Sequence, residues 1–75
     1  MKFDDSGIND VQIKFGKRLR EIRLKKEISQ EALAAEAGLH RTYVSSVERG
    51  ERNITLITIY RLAAALSINP RELLT

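Results

Sequence analysis

The chain has no cysteine and no tryptophan, one proline, one histidine and four glycines among 75 residues. Each scarcity removes a class of protein. Without cysteine there is no disulfide framework and no thiolate metal site, and His40 by itself cannot build an imidazole cluster. Neither a metal nor a cofactor is expected. No apolar run reaches the roughly 18 residues that span a bilayer. Residues 1–10 carry Asp4, Asp5 and Asp10 where a secretory leader would be basic. The chain therefore reads as soluble and cytoplasmic, with no membrane partner. At this length it has room for one small core, held by packing alone.

The formal charge of +3 is modest but unevenly placed. Lys14, Lys17, Arg18, Arg20, Arg23, Lys25 and Lys26 lie close together, with Glu21 the only acid among them. A basic stripe of this kind suits a polyanion, although by charge alone an ordinary solvated helix face is the commoner reading.

Apolar spacing and capping residues mark five helices, and no segment alternates as a strand does, so the class is all-α. The first helix runs from Asn9 or Asp10, either of which can cap it, to about Lys26, with Val11, Phe15, Leu19 and Ile22 on one face. Ser29 caps a second, which turns Leu33, Ala34 and Ala37 inward and ends at Gly38. A third follows from about Arg41 to Arg49 and closes at Gly50. After the link Glu51–Asn53, Thr55 caps a fourth that continues through Leu66. Leu56, Ile59, Ala63 and Leu66 form its inner face, while Ile57, Tyr60 and Ala64 point elsewhere. Asn69, Pro70 and Glu72 begin a short fifth helix bearing Leu73 and Leu74. Residues 1–8 read as a flexible N-terminal segment and 9–75 as one domain.

The stretch from Ser29 to Gly50 carries the functional reading, because two short helices flanking a glycine turn leave one face of the second free. At about 100° per residue, Val44 and Val47 share the buried side of the third helix, with Thr42, Ser45, Ser46 and Arg49 opposite. Small hydroxyl side chains let a helix approach base edges, and Arg41 has the fork geometry for guanine O6 and N7. That face suits a major groove. His40 with Ser45 or Ser46 and Glu48 contains the letters of a hydrolytic triad, but they point to different sides of one short helix, so no enzyme is read here.

Residues 12–74 resemble the Xre/Cro-type helix-turn-helix family, and GLHRTYVSSVERGERNITL, Gly38 to Leu56, is similar to the controller proteins of restriction-modification systems. The resemblance implies a compact, lambda-repressor-like domain whose helix-turn-helix spans 29–49. It assigns Arg41 and Thr42 to base contact, with Tyr43 and Ser46 at the same surface. It gives Gln30 a phosphate and buttressing role, places Arg52 and Asn53 in a loop at the groove edge, and makes Arg49 a phosphate candidate. Arg23 and Glu48 match an internal ion pair joining the first helix to the third. Glu31 matches a position that faces RNA polymerase in activating phage repressors, beside its simpler reading as a favourable charge in a first helical turn. The sequence departs from the subgroup at His40, where a capping acid or hydroxyl often stands.

The fourth helix carries more apolar surface than a domain of this size can cover, which makes 55–75 a dimerisation region with Ile57, Tyr60, Ala64, Ile68, Leu73 and Leu74 as interface candidates. A two-fold pair reads two half-sites about 34 Å apart, so double-stranded DNA with a pseudo-palindromic operator is the expected partner. The expected function is a homodimeric controller of its own gene and of a restriction endonuclease gene. A phage-type or antitoxin-like repressor and a protein-binding adaptor are the alternatives.

Overall fold

A computed structural model describes residues 7–75, and residues 1–6, most of the proposed N-terminal segment, lie outside the described part. Four α-helices are followed by a terminal 3-10 helix: α1 (Ile8–Lys25), α2 (Gln30–Ala37), α3 (Arg41–Glu48), α4 (Leu56–Leu66) and then Pro70–Leu74. The expected fifth α-helix is thus a 3-10 turn. Asn69 and Glu72 close it with reciprocal side-chain to backbone bonds, and Pro70 sits at its start. No strand occurs among the described residues.

The caps explain where the helices begin. Ser29 Oγ accepts from Ala32 N–H at 3.0 Å and Thr55 Oγ1 from Thr58 N–H at 3.2 Å. Helix α1 starts earlier than its sequence suggested, at Ile8 after Gly7, with no side-chain cap. Asn9 and Asp10 lie inside the first turn instead, where the Asp10 charge still complements the helix dipole. At Gly38, φ is +69°, the left-handed conformation that ends α2 and starts the turn into α3.

The core gathers Leu19 from α1, Leu33 from α2, Val44 and Val47 from α3, Leu62 and Leu66 from α4, and Leu73 from the 3-10 helix. Helix α3 lies between α1 and α2, while α4 closes over α2 and the 3-10 helix over α1. Two sequence expectations are corrected here, and one core residue is added. Val11 is 53 % exposed, because α1 runs beyond the core at its N-terminal end. Leu56 is 67 % exposed because it heads α4, one turn before the packed residues. Leu62, unassigned from the spacing, is fully buried in its place.

The backbones of α1 and α3 approach closely at Gly16. Gly16 is buried, and a Cβ there would collide with the carbonyl oxygen of Val47 and lie 2.8 Å from that of Glu48. Only a glycine lets α1 pass this near the C-terminal carbonyls of α3.

Candidate nucleic-acid interface

The third helix is held from behind by a buried ion pair. Arg23 of α1 donates through Nε to Glu48 Oε2 at 2.6 Å and through Nη2 to Oε1 at 3.0 Å. Its remaining Nη1 reaches the Ile28 carbonyl at 2.8 Å, and Gln30 Nε2 donates to Glu48 Oε1 at 3.0 Å. With every partner satisfied, the pair ties α1, the turn before α2, and α2 itself to the last turn of α3. Gln30 thus has its amide nitrogen committed to buttressing. Glu48 is likewise committed, far in role from any triad with His40.

His40 caps α3 in spite of being an unusual residue for the task. Its side chain accepts from Thr42 N–H at 3.2 Å through Nδ1, which also lies 2.7 Å from Thr42 Oγ1. The imidazole nitrogen occupies the place a carboxylate or hydroxyl oxygen would take. Directly after it, Arg41 and Thr42 stand exposed on the first turn.

Ser46 is not part of the open face. It is buried at 5 % exposure, its hydroxyl donating to the Tyr43 carbonyl at 2.7 Å and accepting from Arg52 Nε at 2.9 Å. Helical rotation put it opposite the core, but the chain reverses at Gly50, where φ is +77°, and returns across it. The Glu51 N–H bonds back to the Ser46 carbonyl at 3.0 Å, which secures the reversal. Arg52 in turn lies 5.3 Å from the centre of the half-buried Tyr43 ring, so loop and helix share one cation–π contact.

Arg49 caps the C-terminus of α3 and is exposed. Its Nη1 donates to the half-buried Ser45 Oγ, while Nε and Nη2 meet the two carboxylate oxygens of Glu51 at 3.0 and 3.1 Å. The hydrogen bond and charge of Glu51 raise the Arg49 guanidinium further above its ordinary range, and Arg49 holds the Glu51 carboxyl below its own. Glu51 was read in the sequence only as part of a polar link. The Arg-Gly-Glu order was the available signal, since a left-handed glycine between opposite charges folds them together.

The structure therefore brings Arg41, Thr42, Ser45 and Arg49 to one outer side of α3, with Tyr43 and Arg52 at its edge. Asn53 is exposed but turns toward a different feature. It borders a hollow of about 350 Å³ lined by Val11, Phe15, Ile54, Ile59 and Leu74. Of the proposed dimer residues, Ile57, Tyr60, Ala64 and Leu74 are exposed and Ile68 is half-buried. Leu73 is buried at 1 % exposure and belongs to the core, not to an outer surface. In a 3-10 helix adjacent residues point about 120° apart, so Leu73 and Leu74 cannot both face one way.

Two short helices joined through Gly38, Leu39 and His40, the second fixed from behind and open in front, define a helix-turn-helix protein. The chain belongs to the helix-turn-helix family, whose profile matches residues 19–73, and its relatives include restriction-modification controller proteins. It is 48 % identical over 67 residues to control protein C.BamHI of Bacillus amyloliquefaciens, covering 88 % of this chain and 83 % of that one. Control protein C.MunI of a Mycoplasma species is 43 % identical, over 88 % of this chain and 90 % of its own. The crystal structure of the controller protein C.AhdI from Aeromonas hydrophila superposes with a TM-score of 0.81 at 58 % identity, covering 83 % of this chain and 94 % of that one. The family is one of DNA-binding regulators and not of enzymes. No helix among the described residues is long and apolar enough to cross a membrane.

Proposed function

We propose that this chain is a homodimeric transcription regulator that inserts α3 into the major groove of a pseudo-palindromic operator. As a controller, it would act on its own gene and on that of a restriction endonuclease. The observation that carries the reading is the asymmetry of α3. Its inner side is locked by Val44, Val47 and the Arg23–Glu48 pair, and its outer side presents Arg41, Thr42, Ser45 and Arg49. Arg41 and Thr42 are assigned to base edges, Arg49 and Arg52 to phosphates, and Gln30 and Tyr43 to the rim of the contact. The controller role is supported by relatives such as C.AhdI, a restriction-modification controller protein.

Dimerisation is supported by Ile57, Tyr60 and Ala64, which repeat at helical spacing along one exposed flank of α4. The test is selection of bound sites from random duplex DNA, followed by a salt titration of the selected site. A two-fold symmetric consensus is expected, and about four phosphates neutralised per subunit give the dimer a slope of about −7 for log affinity against log salt. Sites without symmetry would remove the dimeric reading. Failure to retain any duplex at low salt would leave the protein-binding adaptor instead.

A further inference from the structure

We propose that Glu51 is an internal competitor of the DNA phosphate for Arg49, and that it holds the affinity for duplex DNA below what the cations of this surface would otherwise confer. The inference rests on the DNA-binding reading above and deepens it. A carboxylate meeting Nε and Nη2 of a guanidinium through both oxygens occupies the side-on fork that a phosphate can also take. Glu51 makes this contact at 3.0 and 3.1 Å, and Ser45 takes Nη1. Three of the five N–H donors of Arg49, the side-on fork among them, are thus already engaged within the chain.

Position makes this more than a surface ion pair. Thr42, Ser45 and Arg49 repeat at i, i+3 and i+7, so the Ser45 bond lays the guanidinium along the outer side of α3. Both members of the pair are half-exposed, with 56 % of each side chain open to solvent. An exposed pair of this kind adds little to stability. An acid on a surface that approaches a phosphate ridge opposes binding. The backbone keeps it there, because the left-handed Gly50 and the Glu51 N–H bond to Ser46 leave the carboxylate facing back onto Arg49. Docking on DNA then exchanges one fork for another, phosphate for carboxylate, and Glu51 is released toward Arg52, the other cation whose charge it feels.

Fluorescence anisotropy with the full chain tests the exchange on a selected operator duplex and a random duplex. The proteins compared are the wild type, Glu51→Gln, Arg49→Ala and the double variant. Glu27→Gln, an exposed acid outside this surface, controls for net charge. Glu51→Gln is expected to tighten binding to both duplexes by about three- to fivefold per subunit. Glu27→Gln should do much less, and the double variant should bind no more tightly than Arg49→Ala. Unchanged or weaker binding by Glu51→Gln overturns the proposal. So does a gain that survives in the Arg49→Ala background, since that would be bulk charge and not competition. If the wild type binds no duplex at all, the DNA-binding reading falls first and the inference falls with it. Tight wild-type binding with no effect of Glu51→Gln removes the inference alone. Unaltered helical circular dichroism and melting would show that the exposed substitutions left the fold intact.

Discussion

Arg41 and Arg49 sit at opposite ends of the same short helix, and their surroundings give them different tasks. Arg41 heads α3 in solvent, immediately after the imidazole cap, with no side-chain hydrogen bond among the described residues. Arg41→Ala is expected to cost about 1–3 kcal/mol in operator binding and to relax discrimination at one base position, read by repeating site selection with the variant. A selectivity profile identical to the wild type would show that α3 reads no base through this residue. Arg49 is already engaged with Glu51. Because Arg49 lowers the Glu51 carboxyl, the clasp is complete above the ordinary carboxylate range and is lost as pH falls through the lowered value. Carbon-detected NMR titration of the Glu51 carboxyl should therefore show a midpoint below that of an ordinary glutamate, moving up in Arg49→Ala.

The helices themselves were legible because their ends are local. Ser29, Thr55 and Asn69 each accept a hydrogen bond from a backbone N–H two or three residues ahead, a contact written entirely within one segment. The faces were harder. Leu73 was assigned to a partner surface and lies in the core, since the final segment winds as a 3-10 helix and aims only one of its two leucines inward. Gly16 carried no signal in the periodicity of α1, yet it sets how near α1 comes to α3. Gly16→Ala is expected to destabilise the domain by about 1–3 kcal/mol, because the neighbours of the added methyl are backbone carbonyls that cannot rotate away. Chemical denaturation measures it. A gain in stability, as helix propensity alone would suggest, would mean that α1 can shift without cost.

The molecule as a whole divides its apolar residues between a core and an outer flank. Among the described residues twelve apolar side chains are buried, while Leu56, Ile57 and Tyr60 of α4, and Leu74 of the 3-10 helix, stay more than half exposed. A domain this small has too little interior to absorb them. If they cover one another in a two-fold pair, Ile57→Glu should weaken self-association by about 2 kcal/mol, seen as a monomer by sedimentation equilibrium. The thermal stability of that monomer should be little altered, because Ile57 is 69 % exposed and contributes little to the core. A folded variant that sediments as the wild type does would place the interface elsewhere.

What the order of residues settled was the succession of helices, the caps at Ser29, Thr55 and Asn69, and the glycine turn before Arg41. These depend on hydrogen bonds and side-chain spacings that span a few residues. What required the assembled chain was the burial of Ser46, the choice between Leu73 and Leu74, the contact at Gly16 and the engagement of Arg49 by Glu51. Each of those depends on which second segment arrives at a given face. Rotation along one helix cannot foresee a loop returning over it.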